Sequence, residues 1–232
     1  MTPSHLDFIR LVVEGDVEQV ARCLAVTPSM ASTPSSVGAT RTDSSRYFFS
    51  EIAHYLYAGD TALHLAAAAF QRQIAEILVT AGADCQAKNR RGAEPLHYAA
   101  DGNRHAPVAQ AQTIDYLISV GADPNATDGS AVSPLHRAVR TRSIAAVAAL
   151  VKGGADPRKR NAAGSTPLHL AVQTTGRSGS GTDHSRAQQA AIIKFLIEQG
   201  AKVTDKDGRG RSIYEAASDE PSRSVLRELG AG

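Results

Sequence analysis

The sequence predicts an all-α fold made of helix pairs that repeat along the chain. Two short motifs recur, a Leu-His pair and a Gly-Ala pair, and the step from each Gly-Ala pair to the next Leu-His position is always 14 residues. The shortest return step is 19 residues, so the two steps together give a period of 33. Apolar residues at helical spacing lie between the motifs, and a fixed period of this kind is typical of stacked repeat proteins. The Leu-His pairs begin at Leu63, Leu96, Leu135 and Leu168, and the Gly-Ala pairs begin at Gly82, Gly121, Gly154 and Gly200.

Each repeat carries the start and stop signals of two helices. The first helix is preceded by a residue whose hydroxyl group can cap it, at Thr61, Ser133, Thr166 and Ser212. Proline at 95, 134 and 167 occupies the first helical position, where a missing N–H group costs nothing. The second helix ends at the glycine of the Gly-Ala pair. Because Glu94 stands where the other repeats have Thr or Ser, we expect its helix to start less sharply.

The segment Thr166-Pro167-Leu168-His169-Leu170-Ala171, with its period of 33 residues, resembles the ankyrin repeat. The resemblance implies an all-α ankyrin-repeat solenoid, in which antiparallel helix pairs stack and β-turn fingers project at one side. We expect a single domain over residues 1–232. Its parts are N-terminal capping helices at 1–30, an inserted loop and short helix at 31–58, full repeats at 59–91, 92–130, 131–163 and 164–209, and a C-terminal cap at 210–232.

Three stretches exceed the basic repeat. The aromatic residues between Tyr47 and Tyr57 predict that the first insertion contains a short helix packed on the first repeat. The other two insertions lie within 101–112 and 173–191, and the constant 14-residue step places both between the two helices of a repeat. Both should therefore emerge at one edge of the stack, and Thr174–Ser185 is flexible by composition.

Composition favours a soluble intracellular protein. The net charge is +2, and the two cysteines, Cys23 and Cys85, lie in different repeats and indicate no disulfide framework. The N-terminal segment carries Asp7, Arg10 and Glu14 around a short apolar run, which is unlike a signal peptide or a membrane span. We therefore expect a monomeric cytoplasmic protein that does not enter a membrane.

The histidines do not indicate catalysis. His64, His97, His136 and His169 occupy one equivalent position in each repeat, where the resemblance implies a structural bridge from the helix cap to the adjoining finger. Asp183-His184 is an adjacent acid and imidazole pair, but its Gly/Ser-rich context cannot hold ligands rigidly. The sequence has no His-Glu-x-x-His, no Cys-x-x-Cys and no phosphate-binding glycine loop, so we expect no enzyme, no cofactor and no metal.

Charge and repeat register together predict a binding surface. The stretch from Arg137 to Arg160 holds seven basic residues against Asp156 alone, a local balance of +6. In the resembling family, the exposed positions of the first helix line the concave face of the solenoid. We therefore expect a partner protein, with an acidic surface, to bind the concave face and fingers without chemistry. The predicted contact residues are Leu65, Arg90, Arg91, Tyr98, Asp101, Arg137, Arg140, Leu170 and Gln173.

Two other functions stay open at this point. The protein could be a regulatory or inhibitory subunit of an enzyme, acting through the inserted loops between helices. Nucleic-acid binding through the basic stretch is less favoured, because the net charge is small and no aromatic residues interleave the arginines.

Overall fold

The computed structural model describes residues 4–101, 106–173 and 181–230, and these residues fold mainly into helices joined by short turns. The helices form consecutive pairs along the chain. They are α1 (His5–Glu14) and α2 (Val17–Val26), α3 (Ala62–Ala68) and α4 (Arg72–Thr80), α5 (Pro95–Ala100) and α6 (Pro107–Ser119), α7 (Pro134–Arg140) and α8 (Ile144–Lys152), α9 (Pro167–Ala171) and α10 (Asp183–Glu198), and α11 (Ile213–Ala216) and α12 (Glu220–Glu228).

The pairs stack in chain order into two layers. The first helices form one layer, in which α3 contacts α1 and α5, and α7 contacts α5 and α9. The second helices form the other layer in the same order, from α2 to α12. The core lies between the layers, and its motif leucines Leu63, Leu96, Leu135 and Leu168 are completely buried. This is the predicted all-α solenoid. Within the described residues, no helix has both the length and the apolar character needed to cross a membrane.

Local capping fixes where the first helices begin. In four repeats the cap residue forms a capping box with the motif histidine, whose ring nitrogen accepts a hydrogen bond from the backbone N–H of the cap. Glu94 takes part in the same arrangement, and α5 begins at the equivalent position. The expectation of a less sharp start at Glu94 is therefore wrong, because the histidine ring supplies an acceptor whatever the cap side chain is.

The Gly-Ala pairs end the second helices as predicted. Gly82, Gly121, Gly154 and Gly200 all adopt left-handed backbone conformations, with φ between 95° and 103°. A residue with a Cβ atom is strained in this conformation, which explains why glycine recurs there.

The first insertion differs from its predicted form. Residues 45–47 form one 3-10 turn, and the chain then makes a two-stranded antiparallel hairpin of β1 (Phe48–Phe49) and β2 (His54–Tyr55). The prediction of a short α-helix here is wrong. The aromatic side chains alternate between the two sides of the short strands, and Phe48 and Tyr55 pack ring to ring at 4.8 Å. The hairpin lies against the first two repeats, as the side-chain contacts below show.

The other insertions lie between helices, as the register requires. Residues 102–105 and 174–180 lie outside the described part of the chain. The second of these insertions also lengthens α10, which begins at Asp183 and has 16 residues, against nine in α4 and α8. Thr182 caps this helix by accepting a hydrogen bond from the N–H of Ser185. The expectation that Thr174–Ser185 is flexible is therefore wrong for Asp183–Ser185, which form the first helical turn.

Between the helix pairs, the fingers are built on one recurring side chain that the sequence analysis missed. In each finger, an Asn or Asp side-chain oxygen accepts hydrogen bonds from the N–H groups two and four residues later. This closes the turn at its tip. Neighbouring fingers are joined by backbone hydrogen bonds, such as Gly129 N–H to the Arg91 carbonyl at 2.8 Å. The four turn-closing residues are Asn89, Asp128, Asn161 and Asp207.

Candidate binding groove

Five of the nine predicted contact residues line one cavity of about 770 Å³ between the second and third helix pairs of the repeats. We call it the finger groove. Its predicted members come from one finger, from the end of α5 and from α7, because the fixed register brings these positions together across neighbouring repeats. The lining residues are Arg90, Arg91, Gly92, Asp101, Asp128, Gly129, Ser130, Val132, Arg137 and Arg140.

Arg137 forms the floor of the finger groove. Its guanidinium group donates to Asp128 Oδ2 at 2.9 Å and to Asp101 Oδ2 at 3.5 Å, and only 14% of its side chain is exposed. Burial alone would raise the pKa of Asp128, but hydrogen bonds from Arg137 and two backbone N–H groups outweigh it and hold that pKa below its usual value. Arg137 is thus a neutralised, anchored residue, and the expectation that it is an exposed cation is wrong.

Arginines at the rim of the groove are available to a partner. Arg140 is exposed and forms no ion pair within the described residues. Arg91 lies over the ring of Tyr57 at 4.2 Å, and Arg90 lies over the same ring at 5.4 Å. Arg90 also donates a hydrogen bond to the Ala39 carbonyl at 2.9 Å. These contacts hold the two guanidinium groups of the Asn89 finger in place while their side chains remain exposed.

Leu65 and Tyr98 do not reach the surface. Leu65 is completely buried and Tyr98 is 2% exposed. The hairpin of the first insertion lies over this part of the stack, where the His54 ring packs edge-on against the Tyr98 ring at 4.5 Å. Their predicted exposure is therefore wrong: Leu65 lies in the hydrophobic core, and the insertion covers the face of Tyr98 that the repeat register alone would leave open.

Leu170 and Gln173 are half-buried and do not line the finger groove. Leu170 packs against the hydrophobic core. The repeat register predicts that they lie on the same concave face as Arg137 and Arg140. The groove, however, ends at the finger that carries Ser130.

Three of the four motif histidines, His64, His97 and His136, join neighbouring repeats, as the resemblance implied. The Thr61 N–H donates to His64 Nδ1 at 3.1 Å, so the ring proton lies on Nε2, which donates to the Ala93 carbonyl at 3.0 Å. His97 and His136 reach the Val132 and Ser165 carbonyls in the same way. Burial lowers the pKa of each motif histidine, which keeps the rings neutral. Over the described residues, no group of His, Cys, Asp and Glu is arranged to hold a metal ion.

The basic stretch from Arg137 to Arg160 is largely neutralised by acidic residues from other parts of the chain. Arg158 forms a two-pronged ion pair with Asp205, and Arg160 lies 4.0 Å from the same carboxylate. Lys152 pairs with Asp115 at 3.5 Å. Much of the predicted local charge is thus balanced by neighbouring repeats, which the local sequence could not show.

The structure contains a second cavity, which the repeat register does not predict. It measures about 320 Å³ and is formed by the first insertion together with Arg90 and Arg91 of the Asn89 finger. The aromatic residues of the insertion indicate that it packs against the repeats, but the repeat register does not show which finger they contact. We call it the insertion pocket, and its lining residues are Ala39, Thr40, Arg41, Ser44, Tyr55, Tyr57, Arg90 and Arg91.

Comparison with known proteins agrees with this architecture. A family model described as ankyrin repeats (3 copies) matches residues 44–128 and 105–207, which together cover more than half of the chain. A comparison with curated proteins found no match. The matched segments contain the capping boxes, the fingers and the motif histidines described above. The chain belongs to the ankyrin repeat family.

Proposed function

We propose that this protein is a non-catalytic interaction module that binds a partner protein in the finger groove. Ankyrin repeats are generally protein-protein interaction modules. The observation that carries the proposal is the meeting of Arg90, Arg91 and Arg140 around a cavity whose floor is already neutralised by its own ion pairs. An exposed guanidinium group at a rim contributes to affinity mainly when a partner supplies a carboxylate, so the partner carries acidic residues.

The arginines of the groove have different roles in this proposal, because their side chains differ in exposure. Arg91 and Arg140 are exposed and can contact a partner directly, whereas Arg137 holds Asp101 and Asp128 in place. Leu65 and Tyr98 are excluded from the contact set because Leu65 lies in the hydrophobic core and the insertion covers Tyr98. The protein acts in this proposal as a monomer in the cytoplasm.

The test is a comparison of charge variants. Wild-type protein immobilised on a resin captures a partner from a lysate of the source organism, and mass spectrometry identifies it. The double variant Arg91→Ala/Arg140→Ala should lose that partner, while the matched control Arg10→Ala/Arg22→Ala, which removes two exposed arginines from α1 and α2, should retain it. Equal capture by both double variants would show that the finger groove is not the binding site.

Salt dependence gives a second readout with the purified partner. Binding by the wild type should weaken as salt increases, and the Arg91→Ala/Arg140→Ala variant should show a flatter dependence. The regulatory-subunit hypothesis makes a different prediction, since shortening the insertion within 173–191 would then abolish binding. If that deletion abolishes capture while Arg91→Ala/Arg140→Ala does not, the regulatory hypothesis replaces the groove proposal.

A further inference from the structure

The insertion pocket differs from the finger groove in its charge. Three guanidinium groups line it, from Arg41, Arg90 and Arg91, and none of the lining residues that the structure describes is acidic. None of the three arginines forms an ion pair within the described residues. The finger groove, in contrast, contains Asp101 and Asp128 beside its arginines. An uncompensated cluster of three arginines is a strong attraction for a doubly charged anion.

Two of these arginines are fixed before any ligand binds. Both are stacked on the Tyr57 ring, and Arg90 is further held by the Ala39 carbonyl. Planar guanidinium groups held in this way lose little side-chain entropy on binding, and their forked N–H donors match the oxygens of phosphate. Thr40 and Ser44 add hydroxyl groups to the same wall.

The remaining walls are aromatic. The rings of Tyr55 and Tyr57 lie 6.2 Å apart and line one side of the pocket. The pocket volume of about 320 Å³ is much larger than a phosphate group. It can therefore hold a phosphate together with a flat group packed against the tyrosine rings.

We propose that the insertion pocket binds a phosphate monoester attached to an aromatic ring. This chemistry is present in a phosphorylated tyrosine side chain of a partner protein and in small aryl phosphates. The insertion pocket adjoins the finger groove and shares Arg90 and Arg91 with it, but Arg41 and Tyr57 line only the insertion pocket and Arg140 lines only the finger groove.

The test uses the full chain and phenyl phosphate as the probe, with binding followed by NMR shifts of the arginine side-chain N–H groups. Phenyl phosphate should bind saturably, and Arg41→Ala and Arg91→Ala should each weaken binding at least fivefold. Arg140→Ala, the matched control from the finger groove, should leave the affinity unchanged. Arg41 is exposed, so its replacement keeps the fold intact, and thermal unfolding of each variant verifies this.

Competing anions test the chemistry. Benzoate and inorganic phosphate should each bind at least tenfold more weakly than phenyl phosphate, because one lacks the second charge and the other lacks the ring. Absence of saturable binding, equal affinity for benzoate, or equal weakening by Arg140→Ala and Arg41→Ala would overturn the proposal. If inorganic phosphate bound as tightly as phenyl phosphate, the proposal that the pocket recognises an aromatic ring would be overturned.

A short peptide containing phosphotyrosine distinguishes the two sources of the ligand. Tighter binding of this peptide than of phenyl phosphate would support a phosphorylated protein as the source, and equal affinity would support a small aryl phosphate. Failure of this pocket would leave the finger-groove proposal intact, because Arg140 lines only the finger groove and the effect of Arg140→Ala alone on partner capture tests that groove separately.

Discussion

The hydroxyl group of Tyr98 donates a 2.8 Å hydrogen bond to Asp60 Oδ1, joining two buried residues 38 positions apart in the chain. Asn89 completes the cluster by donating to the same carboxylate oxygen at 2.8 Å and to the Tyr98 oxygen at 2.9 Å. The Tyr57 N–H donates to the other oxygen, Asp60 Oδ2, at 2.7 Å. The cluster therefore ties the end of the first insertion to the second repeat.

Replacing Tyr98 with Phe should destabilise the protein by about 1–3 kcal/mol, because Asp60 and Asn89 each lose a buried hydrogen-bond partner. The free energy of unfolding is measured by urea titration. Tyr55→Phe is the matched control, since no hydrogen bond of its hydroxyl group is found in the described residues, and it should stay close to the wild type. Equal stability of the two variants would contradict a stabilising role for the cluster.

Mild acid should destabilise the fold. Burial, reinforced by the Arg137 charge, lowers the pKa of His54 and of His97 to about 4. Between pH 6.5 and 4 the unfolded chain therefore binds protons that the folded chain does not, and stability falls as the pH falls. For the completely buried His97 this amounts to about 2 kcal/mol at pH 5.

Urea unfolding at pH 7, 6 and 5 checks this expectation. Burial raises the pKa of Asp60, so the folded protein binds a proton at this carboxyl group more readily than the unfolded chain does. This effect increases the stability as the pH falls into the range where carboxylates titrate. The comparison therefore stops at pH 5. His54→Gln removes one of the buried histidines whose pKa is lowered and should show a smaller loss between pH 7 and 5 than the wild type. An unchanged loss in this variant would show that His54 is not part of the effect.

Arg137→Ala should destabilise the protein by about 2 kcal/mol, because Asp128 is left largely buried without its ion-pair partner. Arg140→Ala, three residues further along α7, is exposed and should change stability by less than about 0.5 kcal/mol. A double-mutant cycle with Asp128→Asn isolates the pair. The cost of Arg137→Ala should shrink in the Asp128→Asn background, and a full cost there would show that the ion pair is not responsible.

Glu94→Thr should stabilise the protein by about 1 kcal/mol. Burial raises the pKa of Glu94, and its Oε2 atom is buried without a hydrogen-bond partner among the described residues. Threonine occupies the equivalent cap position in two other repeats, at Thr61 and Thr166, and forms the same capping box there. Thermal unfolding measures the change, with Glu51→Thr at an exposed site as the control. A lower midpoint for Glu94→Thr would show that the long side chain is needed there.

The repeat architecture could be predicted from the sequence because its determinants are local. Capping residues, the proline at the first helical position and glycine at the helix end act within a few residues of one another, and the period repeats them. The finger groove followed from the same register, which brought Arg90, Arg91, Asp101, Arg137 and Arg140 to one cavity.

What the sequence did not predict depends on contacts between distant parts of the chain. Asp101, one of the two acidic partners of Arg137, lies 36 residues away, and Asp205 neutralises Arg158 from 47 residues away. The burial of Tyr98 depends on where the first insertion folds, and that insertion has no counterpart in the period. Its two short strands carry too few residues for an alternating pattern to be distinguished from a helical one.

The first insertion covers Tyr98 in the second repeat, and this makes the two ends of the array unequal. A ligand chain cannot run along all the first helices, because the His54–Tyr55 strand already occupies the place above Tyr98. In the finger-groove proposal, recognition would therefore start at the Asn89 finger, next to Tyr57, and proceed toward the C-terminal end. In a protein with the same repeats but without residues 31–58, nothing from the His54–Tyr55 strand would lie over Tyr98, and the run of accessible first helices would be longer.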